Sequence, residues 1–207
     1  MTRWLGVALL PSAEHAHRAI RMQQEIGGDH ALRPGLTTDG NLPHVTVFQG
    51  PFTDSLDPET ALEKIGGTLT LPKELRLAAT GIVYQPTGWV FLALERPPLL
   101  ERLQAAALDA LDAHLDRQAF AAKDTSRFSE RERASFARYG YRYTGDAYAP
   151  HITLGRAEEK VAQEVVRHAP RRTSLPAEWA FDRLSFYVMG EHGAHAQTLT
   201  ERALDRA

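Results

Sequence analysis

Two pentapeptides constrain this chain more than any bulk property: Pro43-His44-Val45-Thr46-Val47 and Pro150-His151-Ile152-Thr153-Leu154. Their histidines stand 107 positions apart in a chain of 207 residues. Each pentapeptide holds a short β-branched or aliphatic run and reads as a strand. Side chains on a strand alternate between faces, so His44 and Thr46 share one face while Val45 and Val47 share the other. His151 and Thr153 pair in the same way, with Ile152 and Leu154 opposite. Each strand therefore buries an apolar face and presents an imidazole and a hydroxyl. A fold that aims both strands at one cleft gathers two titratable groups and two hydroxyl donors.

The surrounding pattern interleaves strands and helices. Trp4 to Leu10 is apolar on both faces and reads as a buried strand. Ser12 opens a helix to about Ile26, closed by Gly27-Gly28, and residues 27–43 form a loop. Asp57-Pro58 starts a second helix that stops near Gly66-Gly67. Strands are expected at Thr68 to Leu71, Leu75 to Tyr84 and Trp89 to Glu95, the last two joined by a turn at Pro86-Thr87-Gly88. Leu100, Leu103, Ala107, Leu111 and Leu115 carry the spacing of a helix over 99–115. After a polar stretch come the second motif strand, a helix over 158–168, and a closing hairpin of strands 181–189 and 195–203. This order, with its hairpins, predicts an α+β fold with antiparallel sheets rather than a doubly wound parallel sheet.

Composition excludes several chemistries. There is no cysteine, so disulfides, a thiol nucleophile and Cys-based zinc sites are ruled out. A formal net charge of -2 means that any nucleic-acid contact must use a local basic patch. No Walker loop or G-x-S-x-G elbow is present. The longest early apolar run, Trp4 to Leu10, is too short for a signal core or a bilayer span, so a cytoplasmic protein without a membrane partner is expected.

Paired histidines and threonines suit attack at phosphorus. One imidazole takes a proton from the attacking water or hydroxyl, and the other returns one to the leaving oxygen. Thr46 and Thr153 are placed to hold the non-bridging phosphate oxygens. The scheme calls for no metal and no cofactor. At these residues the chain resembles the 2H phosphoesterase superfamily, which includes the 2'-5' RNA ligase-like proteins and cyclic phosphodiesterases. Phe48-Gln49-Gly50 after the first motif, Leu154-Gly155-Arg156 after the second, and Leu184-Ser185-Phe186-Tyr187 before the final turn are similar to that family's pattern.

The resemblance implies a bilobal α+β fold with pseudo-twofold symmetry, one antiparallel sheet in each lobe, flanking helices and a central groove. It implies metal-independent chemistry on a 2',3'-cyclic phosphate or a 2'-5' nucleotide or RNA-end phosphodiester, with His44 and His151 as the acid/base pair. A binding module that keeps the groove without turnover is the alternative. Arg156 is expected as a further phosphate ligand, provided a bend at Gly155 returns it to the cleft. Tyr148 is a candidate pocket residue. The whole chain reads as one domain of two interleaved lobes, with a monomer as the expected state and residues 116–146 as a polar insert or lid. Within that insert, Ser129-Glu130-Arg131-Glu132 has the form of a capping box. The alternating arginines and aromatics from Arg127 to Tyr143 read as a solvated helix and a turn at Gly140 rather than an RNA-binding stripe. The other seven histidines, His15, His17, His30, His114, His168, His192 and His195, read as surface or structural residues.

Overall fold

The computed structural model describes residues 1–205. Seven strands and five α-helices follow in the order β1 (Arg3–Pro11), α1 (Ala13–Gly27), β2 (Val45–Phe52), α2 (Pro58–Gly67), β3 (Leu75–Gln85), β4 (Trp89–Leu94), α3 (Pro98–Leu111), α4 (Glu130–Tyr139), β5 (His151–Arg156), α5 (Glu159–Arg172), β6 (Glu178–Met189) and β7 (His195–Ala203). Every strand pair is antiparallel. The α+β class therefore stands, with helices flanking β-structure.

Backbone hydrogen bonding links all seven strands into one sheet of order β1-β2-β5-β4-β3-β6-β7, with β6 also paired to β1. Strand β6 is the reason. Its first half, Glu178 to Phe181, pairs with β3, and its second half pairs with both β1 and β7. The circuit closes at the other end through a single pair, Val45 with Ile152. Helices α2 and α3 pack on each other, while α1 and α5 form a second pair that also contacts β5, β3 and β4.

Local signals placed most elements. Asp57 caps α2, its carboxylate accepting from the Thr60 N–H at 3.0 Å, with Pro58 at the first helical position. Ser129 and Glu132 close a capping box at the start of α4. The strand expected at Thr68 to Leu71 does not form. The Thr68 hydroxyl instead donates to the Ile65 carbonyl at 2.9 Å, so this segment finishes the helix end. The helix expected over 99–115 is α3 to Leu111 and then one 3₁₀ turn, Asp112–His114, with Leu115 buried behind it.

The motif strands carry matching irregularities. In the ladder between β1 and β2, Val7 pairs with Phe48 and Ala8 with Thr46, so Val47 is an extra, bulged residue. In the ladder between β4 and β5, Val90 pairs with Gly155 and Phe91 with Thr153, so Leu154 is the bulge. These are the fourth residues of the two motifs, counted from each histidine. Each bulge carbonyl accepts from a buried glutamine. Gln104 of α3 donates to the carbonyls of Val47 and Tyr143, both at 2.9 Å, and accepts from the Gly145 N–H at 3.0 Å. Gln23 of α1 donates to Leu154 at 2.9 Å and Pro34 at 3.0 Å, and accepts from the Leu36 N–H at 2.8 Å. Each amide thus clasps one motif strand to the segment that leads into the other motif.

The aromatics of the insert are not solvated. Phe120, Phe136, Tyr141 and Tyr143 are buried, against the expectation of an exposed helix and turn. Gly140 ends α4 in the left-handed region at φ 69°. A Cβ there would stand 2.6 Å from the Phe120 ring, so the turn requires glycine.

Candidate active site

Register brings the two motifs together. With Val45 opposite Ile152 and both fully buried, their neighbours His44, Thr46, His151 and Thr153 turn to the opposite face. All four line one cavity of about 590 Å³. Its further walls are aromatic: Trp89 and Phe91 come from β4, Trp4 from β1, and Phe136, Tyr141 and Tyr143 from the 116–146 segment. Lys123 and Arg142 are its lysine and arginine, and among the described residues no carboxylate lines it. Such a lining favours an anion that carries a flat, stackable group.

The two imidazoles are held alike. His44 Nδ1 lies 2.8 Å from the Leu42 carbonyl, and His151 Nδ1 lies 2.6 Å from the Ala149 carbonyl. A carbonyl only accepts, so both Nδ1 atoms carry the proton and donate it. In each neutral ring Nε2 is then the atom with the free lone pair. Each motif's own backbone, two residues upstream, sets the tautomer.

Aromatic neighbours fix the ring planes. Phe91 stacks on His151 with centroids 3.9 Å apart and planes 14° from parallel, and Tyr143 meets the same imidazole edge-on at 5.4 Å. His44 lies against Tyr187 at 5.2 Å and His195 at 5.6 Å. Tyr187 crosses the strand pair where Gly6 faces it; a Cβ at Gly6 would sit 2.5 Å from its ring. Burial pushes the His44 pKa below its ordinary value, countered only by the Leu42 carbonyl. Burial also pushes His151 down to about 4, opposed by the Ala149 carbonyl and reinforced by the nearby charges of Arg142 and His44. With no anion bound, both rings are neutral at pH 7.

The bulges decide which later residues share this face. One extra residue at Val47 shifts the alternation, so Gln49 joins His44 and Thr46 on the cavity wall. The bulge at Leu154, followed by Gly155 at φ 113°, makes the same shift for Arg156. The side chain lies beside the cavity, next to two of its wall residues, Trp89 and His192. Its Nε donates to the Thr87 carbonyl at 2.7 Å, its guanidinium lies 5.7 Å from the Trp89 ring, and it lines a separate smaller pocket with Arg33, Glu158 and Glu191. Its two terminal nitrogens make no hydrogen bond among the described residues, and His192 lines both pockets. Tyr148 is buried, and its hydroxyl donates to the carbonyl of the motif residue Thr46 at 3.3 Å; its side chain is not among those that line the cavity.

Sequence reasoning missed several wall residues. Arg142, Tyr141 and Tyr143 carry a signal in the alternating arginines and aromatics, but the charges among them point to a solvated segment. His192 lines the cavity edge and meets Trp89 at 5.3 Å. His195 is fully buried, bonded through Nε2 to the Ser185 hydroxyl at 2.9 Å and stacked on Tyr187 at 4.4 Å. Among the described residues no group of three or more His, Asp or Glu side chains is arranged to hold a metal ion.

A cleft bearing two His-x-Thr strands inside an antiparallel α+β fold defines a 2H phosphoesterase. The sequence agrees: residues 10–193 match the model of the 2'-5' RNA ligase superfamily, and the chain belongs to that family of enzymes. No curated protein sequence matches the chain. Among solved structures it is similar to E. coli LigT complexed with phosphate, with TM-score 0.55 and 18% identity over 98% of this chain and 97% of that one. E. coli LigT complexed with 3'-AMP gives TM-score 0.56 and 16% identity over 98% of both chains. The protein TT0787 of Thermus thermophilus gives 0.53 and 16%, again over 98% of both. At these identities the likeness is one of fold. Among the described residues no helix is long and apolar enough to cross a membrane.

Proposed function

We propose that the chain is a metal-independent phosphodiesterase acting on a 2',3'-cyclic phosphate or a 2'-5' nucleotide or RNA-end phosphodiester. The observation that carries this reading is the matched pair of imidazoles. Both are fixed through Nδ1 to a backbone carbonyl, and both line one cavity with two threonines and no carboxylate among the described residues. The substrate phosphorus sits between the two Nε2 atoms. The neutral ring accepts the proton of the attacking water or hydroxyl as its oxygen bonds to phosphorus. The protonated ring donates to the departing oxygen as the second P–O bond breaks, so the pair ends with its charges exchanged. The Thr46 and Thr153 hydroxyls donate to the non-bridging oxygens, where charge accumulates. Reversal exchanges the acid and base roles, and the same site then joins the two ends.

The matched bulges and glutamine clasps support a further part of the reading, in which two lobes related by a pseudo-twofold axis meet at this cavity. The test is turnover of nucleoside 2',3'-cyclic phosphates and 2'-5'-linked dinucleotides by the purified protein in the presence of a chelator. His44→Ala and His151→Ala should each lower kcat by about 10²–10⁴-fold, the usual worth of an acid or base. Turnover that survives in both variants, or that the chelator abolishes, overturns the proposal.

A further inference from the structure

The geometry points to Gln49 as a donor to the anionic oxygens of the substrate phosphate, oriented for that task by the buried Tyr187 phenol. This rests on the reading of the cavity as a phosphodiester site and gives that site a donor outside the two His-x-Thr motifs. Register places the residue. Gln49 holds the position in the first motif strand that Arg156 holds in the second, five residues after the histidine and two after the bulge. Each bulge turns that position to the face of the histidine and threonine. Both side chains are tethered at one atom and free at another. The Arg156 Nε is held by the Thr87 carbonyl, while its terminal nitrogens make no hydrogen bond among the described residues. Gln49 Oε1 accepts from the Tyr187 hydroxyl at 3.1 Å, while its Nε2 makes no hydrogen bond among the described residues. Gln49 lines the cavity beside Thr46, two strand steps or about 7 Å away once the bulge is discounted.

Three strands build the tether. Gly6 of β1 stands opposite Gln49 on β2 and opposite Tyr187 on β6. A Cβ at Gly6 would come within 2.6 Å of the phenol oxygen, so the ring crosses β1 over this glycine to reach the amide. Tyr187 is fully buried and stacks on His195 with planes 15° apart, which fixes where its hydroxyl points. A buried hydroxyl proton requires an acceptor, and oxygen is the end of the amide that accepts. The nitrogen end, which carries only protons, is left for a ligand. An anionic phosphate oxygen, which only accepts, matches it. Among the described residues no carboxylate lines the cavity to take those protons first. The donor is therefore in place before substrate arrives, and the reaction need not reorganise it.

Calorimetric titration with inorganic phosphate and steady-state turnover of a 2',3'-cyclic nucleotide test the assignment in the full chain. Gln49→Leu keeps the size and removes the donor. It should weaken phosphate binding about tenfold, as the loss of one hydrogen bond to a charged group does, and lower kcat/KM by about 10²-fold, the usual worth of one oxyanion donor. Gln49→Glu keeps an acceptor for the Tyr187 hydroxyl but sets a negative charge where the N–H groups stood. It should lose more than Gln49→Leu in both quantities at pH 7, with Tm close to that of the wild type; a packing role predicts the reverse order. Tyr187→Phe releases the amide, so in that background Gln49→Leu should change phosphate affinity less than about threefold. Wild-type phosphate affinity in either Gln49 variant overturns the inference, and a tenfold effect that persists beside Tyr187→Phe overturns the orienting role of the phenol. A wild type that binds no phosphate refutes this inference and the catalytic reading together. If it binds phosphate through Gln49 but turns over no diester, the assignment stands and the catalytic reading fails.

Discussion

Replacing Gln104 by leucine isolates what one clasp contributes. The side chain is 3% exposed and makes three backbone hydrogen bonds, to Val47, Tyr143 and Gly145. Leucine has nearly the same volume, so little cavity is created. The Gly145 N–H lies at an exposed residue and turns to water. The carbonyls of Val47 and Tyr143 belong to buried residues, and Val47, as a bulge, has no partner on β1 to fall back on. A buried unpaired polar group costs about 1–3 kcal/mol, so two cost about 2–6 kcal/mol; burying leucine in place of an amide returns about 1 kcal/mol. The expected loss is about 3 kcal/mol, which lowers Tm by about 6–12 °C in a domain of this size. Urea unfolding followed by circular dichroism measures it, with an unchanged m-value showing that the denatured state is the same. A loss below about 1 kcal/mol, the least that one orphaned carbonyl should cost, refutes the claim that the bulge carbonyls depend on the clasps. Gln23→Leu, with the same bonds to Leu154, Pro34 and Leu36, should behave alike.

Acid should destabilise the fold through its buried imidazoles. Burial lowers His44, takes His151 to about 4 and His195 to about 3, while the unfolded chain takes up these protons near 6.5. The stability they contribute is complete above 6.5 and is lost as the pH falls towards 4, at about 1.4 kcal/mol per pH unit for each of His151 and His195, with His44 adding in the same direction. Unfolding free energies that stay flat across this window contradict the burial argument. The active form needs one ring neutral and one protonated, so kcat/KM should peak on the acid side of about 6.5, and a maximum above about 7 tells against the pair. Phe91→Leu keeps an apolar neighbour but removes the ring stacked on His151; kcat should fall about tenfold or more while the fold holds, as for any small misplacement of a catalytic group. Gly140→Ala places a Cβ 2.6 Å from Phe120 at positive φ, and should cost about 2 kcal/mol in denaturant unfolding.

Local rules determined a great deal here. Alternation along five residues set which faces His44, Thr46, His151 and Thr153 present, and capping chemistry marked the starts of α2 and α4. These signals are readable because each depends on neighbours within four positions in the chain. Tertiary structure decided what lies beyond that reach. The bulges at Val47 and Leu154 reset the alternation, which brought Gln49 to the cavity; they exist because glutamines 57 and 131 positions away donate to the displaced carbonyls. The Arg156 Nε was fixed by the Thr87 carbonyl, 69 positions distant. The aromatics between Phe120 and Tyr143 look solvated when spaced among arginines, yet they fold inward because Gly140 turns the chain and Gln104 and Ser135 pin it. Hydrogen bonds and packing between remote segments leave no periodic trace in the sequence. The motifs therefore declared which imidazoles and hydroxyls share a face, and only the closed fold chose which other side chains surround them.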